Sequence, residues 1–236
     1  MAEWIKQWAP NLYTYRDKFF KSCDATVEMF WKAGLVAFAI GMVFGILLVV
    51  TKKDGICRNP IVYQGTNLVI NVFRSIPFII LLIFLIPLTR AVVGTAINVK
   101  GAILPLVFGT VPFYTRQVEV ALSGVDEGKI EAARSMGSGT LGLIFRVYLH
   151  EAVPDLIRVT TVTAISLIGL TTMAGAVGAG GLGSFAVNYG QNQNHPDIVN
   201  VCVVVLLAVT FVLQGLGNAL SRRTTNRGLI TIRHRR

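Results

Sequence analysis

Charge is scarce in this sequence. Only 14% of its 236 residues are charged while 53% are hydrophobic. A soluble domain carries roughly a quarter charged residues, so an integral membrane protein is the class to expect. Cysteine is scarcer still. Cys23, Cys57 and Cys202 lie far apart without a Cys-x-x-Cys pair, which removes a disulfide framework. His150, His195 and His234 are equally scattered, so no metal-ligand spacing exists and no metal site is expected. Aspartate and glutamate are missing from every long apolar run. An ion-driven secondary transporter would place carboxylates there to bind protons or sodium, so that class is disfavoured. No Gly-x-x-x-x-Gly-Lys-Ser/Thr occurs: Gly128-Lys129 is followed by Ile130 and lacks the earlier glycine. The chain therefore holds no nucleotide by a P-loop. No catalytic constellation is present either, because the neighbours His150 and Glu151 would point about 100° apart on a helix. The chain is not expected to be an enzyme or to carry a cofactor. The first 32 residues are aromatic and mixed in charge, unlike a cleavable signal peptide.

Apolar length is what the sequence has. A bilayer core of roughly 30 Å needs about 20 apolar residues as a helix, and five runs approach that: 33–51, 67–89, 96–115, 159–178 and 198–221. Five spans put the termini on opposite sides. The six arginines of the tail 221–236 favour the cytoplasm, and this places 52–59 and the loop 123–154 there too. With the stretch from Arg116 to Arg158 around that loop, the inside segments hold fourteen of the 22 lysines and arginines, so the expected orientation is N-terminus out and C-terminus in. The net charge of +10 is thereby explained by flanking cations rather than by nucleic acid. Residues 1–25, with Trp4, Trp8, Tyr13, Tyr15, Phe19 and Phe20, read as an interfacial segment, and 26–220 as the membrane domain. Arg74 is a cation well inside the second run, which reads as snorkelling or a structural pair. Pro77 should kink that span, and Pro87, Pro105 and Pro112 repeat the tendency in the second and third.

The loop 123–154 carries more information than the spans. Asp126 can cap a helix whose first turn holds Glu127, and Gly137 is placed to stop it after Met136. Ile130, Ala133 and Gly137 then form a face of small volume that another surface could approach closely. Thr140 can cap a second helix, Leu141 to Leu149, with Leu141, Ile144, Phe145 and Tyr148 on one side. Two short angled helices form either a docking element or an amphipathic connector resting on the bilayer.

The stretch "EAARSMG" followed by "VYLHEAVP" resembles the cytoplasmic coupling motif of ABC-transporter permeases: Glu131, Ala132, Ala133 and Gly137 match, Val147 stands for isoleucine and Leu149 matches. His150 stands where that family usually has proline. "NVFRSIPFIILLIFLIPLTR", "LPLVFGTVPFYTRQVEVAL" and "MAGAVGAGGLG" are similar to the methionine-import branch, so the resemblance covers about residues 26–220. It implies an all-α integral membrane protein with five transmembrane helices, the type I ABC importer permease fold and short cytoplasmic coupling helices. It further implies a homodimer in the bacterial inner membrane, two copies of an ABC ATPase that bind the ATP and Mg, and an extracytoplasmic substrate-binding protein. Glu131, Ala132, Ala133, Gly137, Leu149 and His150 would meet the ATPase. Arg74, Pro77, Met173, Gly175, Gly178, Gly180 and Gly181 are candidates for the translocation path or its gate. Other cargoes, an amino acid besides methionine or a short peptide, stay open, as does a non-transport membrane scaffold. Residues 178–183 also spell Gly-x-Gly-x-x-Gly, but a dinucleotide site needs that motif between a strand and a helix. Here the glycines read instead as a sharp turn or close packing at the end of the fourth span.

Overall fold

The computed structural model describes residues 9–233, with side chains through residue 224. Trp4, Trp8 and His234 lie outside the described residues, and the side chains of the last tail arginines are not described. Among the described residues there are only helices and connections: α1 (Pro10–Thr14), α2 (Arg16–Thr51), α3 (Pro60–Ser75), α4 (Phe78–Phe84), α5 (Ile86–Val93), α6 (Asn98–Ser123), α7 (Glu127–Ser135), α8 (Thr140–Gly142), α9 (Leu149–Glu151), α10 (Val153–Ala174), α11 (Gly181–Phe185) and α12 (Pro196–Arg233). Three π-helical turns interrupt them, at Leu143–Tyr148, Gly175–Ala179 and Ala186–Gln191.

Among the described residues three stretches are long and apolar enough to cross a membrane, Arg16–Thr51, Val153–Ala179 and Pro196–Thr224. The count rises to five if α3 with α4, and α5 with α6, each make one broken span. The second expected span, 67–89, is thus not one kinked helix. At Pro77 the backbone is extended (φ −55°, ψ 135°), and helix resumes only at Phe78. Proline cannot donate to the carbonyl four residues back and its ring collides with it, so the chain stops and restarts. Pro87 falls in the first turn of α5, where a missing N–H costs nothing. Pro105 and Pro112, expected to kink the third span, lie inside the unbroken α6, which runs eight residues beyond the expected end at 115. The boundary expected at residue 25 falls inside α2, a helix of 36 residues and so roughly 54 Å long.

Contacts divide the chain into two compact units. The first contains the residues up to Val36, Ile76–Thr110 and Ala164–Val212. One of its cores joins Met29 and Ala33 of α2 with Leu82, Leu106, Leu167 and Ala174. Its other core joins Leu182, Phe185, Ile198 and Cys202, and the N-terminal Leu12, Tyr15, Phe19 and Cys23 pack against it. The Tyr15 and Tyr189 rings lie 4.9 Å apart, and Tyr15 Oη donates to Gln193 Oε1 at 3.0 Å. Asn11 donates through its backbone N–H and its amide to both oxygens of Asp197, at 3.1 and 3.0 Å. Tyr15 and Phe19, read from sequence as interfacial aromatics, therefore have partners inside the protein, whereas Phe20 is exposed.

The second unit contains Ala37–Ser75, Val111–Thr163 and the chain from Leu213 onward. Its core gathers Val49, Tyr114, Val118, Leu122, Tyr148, Ala152 and Leu156. Gly41 and Gly45, four apart on α2, lie directly on α6. A Cβ at Gly41 would meet Tyr114 Cδ1 at 2.8 Å, and one at Gly45 would meet Val118 Cγ1 at 2.5 Å. This is the small-x-x-x-small spacing that lets apolar helices touch backbone to side chain. Tyr114 Oη and Thr160 Oγ1 share a hydrogen bond of 2.8 Å, tying α6 to α10.

The same unit shields an ion pair. Arg116 on α6 donates from Nη1 to Glu119 Oε2 at 2.6 Å, and from Nη2 to Asn71 Oδ1 at 2.8 Å and to Asn67 Oδ1. The pair is well shielded, with side-chain exposures of 19% and 16%, so the cation pins α3 to α6. Removing one member of a shielded pair strands the other, at a cost of about 3 kcal/mol. Arg116→Met should therefore lower thermal stability, and adding Glu119→Met should recover most of the loss in the same melting assay. Arg74, the cation singled out from sequence, is exposed in the last turn of α3 and forms no ion pair among the described residues.

Candidate coupling site

In α7 the local sequence works as its caps require. The Asp126 carboxylate accepts from the Gly128 N–H at 2.7 Å, filling one of the free donors of the first turn. At the other end Gly137 turns left-handed, φ +82°. The Gly137 N–H then reaches the Arg134 carbonyl at 2.9 Å and the Ser138 N–H the Ala133 carbonyl at 3.1 Å, which together make a Schellman stop. Glu131 and Arg134 are exposed, and both line a cleft of about 190 Å³ that also has Lys52 on its wall and Ile130, Leu122 and Tyr148 beneath. Burial raises the Tyr148 phenol above its ordinary value, with Arg134 pulling it down and Glu127 pushing it up, so it stays protonated at neutral pH.

Three expectations about this loop are corrected. Ile130 and Ala133 do not form an open small-residue face with Gly137. Ala133 is buried and Ile130 packs on the core of the unit, so only Gly137 of the three is exposed. The outward side of α7 is instead Glu131, Ala132, Ser135 and Met136, the last 80% exposed. Nor does Thr140 cap the second helix. Gly139 occupies the cap position without a side-chain bond, while Thr140 Oγ1 lies 3.7 Å from Cys57 Sγ.

The face of that second helix also differs. An α-helical reading puts Leu141, Ile144, Phe145 and Tyr148 on one side. The turn Leu143–Tyr148 is π-helical, so residues five apart align, and Leu143 and Tyr148 are the pair that turns inward. Leu141 and Phe145 consequently point out, at 70% and 63% exposed. Together with Met136 they make an apolar rim on the two sides of Gly137. Lys129 Nζ bonds Glu151 Oε2 at 2.5 Å, joining the start of α7 to the end of α9. Leu149 packs against the core, and His150 is exposed and makes no side-chain hydrogen bond among the described residues. At the far edge Arg158 Nε donates to Ser221 Oγ at 3.0 Å, and Ser221 Oγ to the Pro154 carbonyl at 3.2 Å, fastening α10 to α12.

The glycines of the other candidate group come together in the first unit. Met173 is exposed in the last turn of α10, and Gly175 begins the π-turn. Val177 and Gly178 break out of helix, Gly178 at φ +101°, followed by Gly180 at φ +83° and Gly181 at φ +79°. These glycines reverse the chain. A Cβ on Gly175 would lie 2.6 Å from the Gly180 carbonyl and 2.8 Å from the Ser184 nitrogen, so α10 and α11 touch backbone to backbone. Helix lies on both sides of the Gly-x-Gly-x-x-Gly stretch, as the rejection of a dinucleotide site requires. Arg74 and Pro77 flank the break between α3 and α4 and are not part of this hairpin.

Three comparisons bear on this arrangement. The profile of the family described as "Binding-protein-dependent transport system inner membrane component" matches residues 37–226. The probable D-methionine transport system permease protein MetI of Vibrio cholerae is 41% identical over 202 residues, 86% of this chain and 90% of that protein. The methionine import system permease protein MetP of Bacillus subtilis is 45% identical over 175 residues, 74% of this chain and 79% of that protein. Among solved structures, one described as inward-facing conformations of the MetNI methionine ABC transporter superposes with a TM-score of 0.87 at 38% identity, covering 89% of this chain and 98% of that one. An amino acid ABC transporter at 16% identity and TM-score 0.74 shares the fold. The chain is a member of the family of binding-protein-dependent transport system inner membrane components.

Proposed function

We propose that this chain is the permease subunit of an ATP-driven methionine importer. The observation that carries the reading is the helix, left-handed glycine and π-turn of residues 127–148, with Met136, Leu141 and Phe145 exposed around Gly137, in a chain that matches a probable D-methionine permease over nine-tenths of that protein's length. Apolar side chains held rigidly in the open are what a partner's cleft would bury. The partner is an ABC ATPase, which binds the ATP and Mg. Two copies of this chain form the path, the loop 123–154 and the tail face the cytoplasm, and an extracytoplasmic binding protein delivers cargo on the N-terminal side.

Closure of the ATPase pair would draw the two α7 elements together. The Lys129–Glu151 and Arg158–Ser221 contacts carry that movement into α10 and α12. The glycine hairpin at Gly175–Gly181 serves as the gate, since backbone that touches backbone there must separate for the path to open. Labelled-methionine uptake in a strain lacking its own importer tests cargo, and transport of another amino acid or a short peptide in its place would overturn the methionine assignment. Phe145→Asp should weaken co-purification of the ATPase at least about tenfold, the loss of one central apolar anchor, while the protein still inserts. Undiminished co-purification would remove Phe145 from the interface.

A further inference from the structure

The hydrogen bond between α2 and the glycine hairpin is made by a residue outside both the family profile and the candidate groups above. Thr26 lies eleven residues before the profile begins at residue 37. It is buried, at 8% exposed, and both roles of its hydroxyl are used. It donates to the Ser22 carbonyl at 3.0 Å and accepts from the Leu182 N–H at 2.8 Å. Leu182 is the second residue of α11, so its N–H has no acceptor within its own helix.

Gly181 is what admits the hydroxyl. A Cβ there would lie 2.7 Å from Thr26 Oγ1 and 2.8 Å from Met29 Cε, and at φ +79° a side chain would be strained even without the clash. The N-terminal part of α2 is itself held on the same unit. Tyr15, Phe19 and Cys23 pack on Phe185 and Ile198, and Asn11 holds Asp197 at the head of α12.

We propose that Thr26 is a positioning residue for transport: through its hydroxyl it fixes the returning arm of the Gly175–Gly181 hairpin and so sets where the gate closes. The inference rests on the permease reading, in which that hairpin is the gate. Without the hydroxyl the Leu182 N–H is buried and unpaired, and the apolar side chains packed on Ala174, Ala179 and Leu182 supply no acceptor in its place.

The test uses the reconstituted complex of the chain with its ATPase and binding protein, and labelled methionine as cargo. Thr26→Val keeps the shape and removes the hydroxyl; Thr26→Ser keeps the hydroxyl. The maximal uptake rate of Thr26→Val should fall about tenfold with KM within about twofold, and Thr26→Ser should stay within about twofold of the parent. The yield of assembled complex should be the same for all three. Maleimide labelling of a Val177→Cys probe should speed up severalfold in the Thr26→Val background alone. The proposal is overturned by unchanged uptake in Thr26→Val, by equal losses in valine and serine variants, or by uptake that falls only in proportion to assembled complex. If the parent complex takes up no methionine, the cargo reading fails instead. The labelling comparison then decides the role of Thr26 alone: faster labelling in Thr26→Val supports it and equal labelling overturns it.

Discussion

Uptake by a Gly137→Val variant should fall about tenfold or more while ATP hydrolysis in the same vesicles continues. Gly137 sits at φ +82°, where an L-residue pays roughly 1–2 kcal/mol and a β-branched one more. A Cβ there meets nothing within 4 Å, so the effect does not come from crowding inside the chain. It comes from the turn. Losing the left-handed residue breaks the bonds from Gly137 to Arg134 and from Ser138 to Ala133, and Met136 and Leu141 then lose their fixed spacing. Gly137→Asn separates two causes, because asparagine tolerates the left-handed conformation but adds bulk. Retained uptake in that variant assigns the defect to the turn; loss in both assigns it to close approach by the partner. Normal uptake by Gly137→Val would remove the glycine from coupling altogether.

The second large effect is on folding. Gly45→Leu should cost about 3 kcal/mol or more, since overpacking of this kind cannot be relieved by a rotamer change alone. The nearest obstacles are Val118 Cγ1 at 2.5 Å, Val118 Cβ at 2.6 Å and the Thr115 carbonyl at 3.1 Å, and the last of these is backbone. For a chain of this length such a loss lowers Tm by roughly 6–12 °C, readable by melting in detergent. Val118→Ala should return part of the loss in the double variant, because it removes Cγ1 but leaves the Val118 Cβ and the Thr115 carbonyl in place. If the two substitutions add without coupling, the α2–α6 contact is not where the energy resides.

The Asp126 cap, the helix after it and its stop at Gly137 could be read from sequence because each depends on neighbours within a few residues. The apolar runs could be read because bilayer thickness sets their length. The second span could not, since whether Pro77 bends or breaks a helix depends on what holds the restarted segment. The opposite happened at Pro105 and Pro112, which sit within one continuous helix. Arg74 drew notice because it is a cation in an apolar run, yet Arg116 is the one that binds three partners. Its partners Asn67 and Asn71 lie more than forty positions away, a distance no local pattern spans. The same limit hid Thr26, whose acceptor role depends on a backbone N–H 156 residues on. Leu141 and Phe145 were grouped on one side with Tyr148, which instead turns inward, because a π-turn leaves no clear mark in the composition of the segment.

That turn makes residue count, not only residue type, part of what a partner would recognise. Deleting one residue between Leu143 and Tyr148 would let the segment relax to α-helical spacing and rotate everything after it by about 100° relative to what precedes it. Tyr148 would leave the core and Phe145 would swing toward it, with no apolar residue exchanged for a polar one. Two permeases that align with a single gap in this loop could thus share nearly every residue and still present different faces, a frame shift in three dimensions that percentage identity does not register.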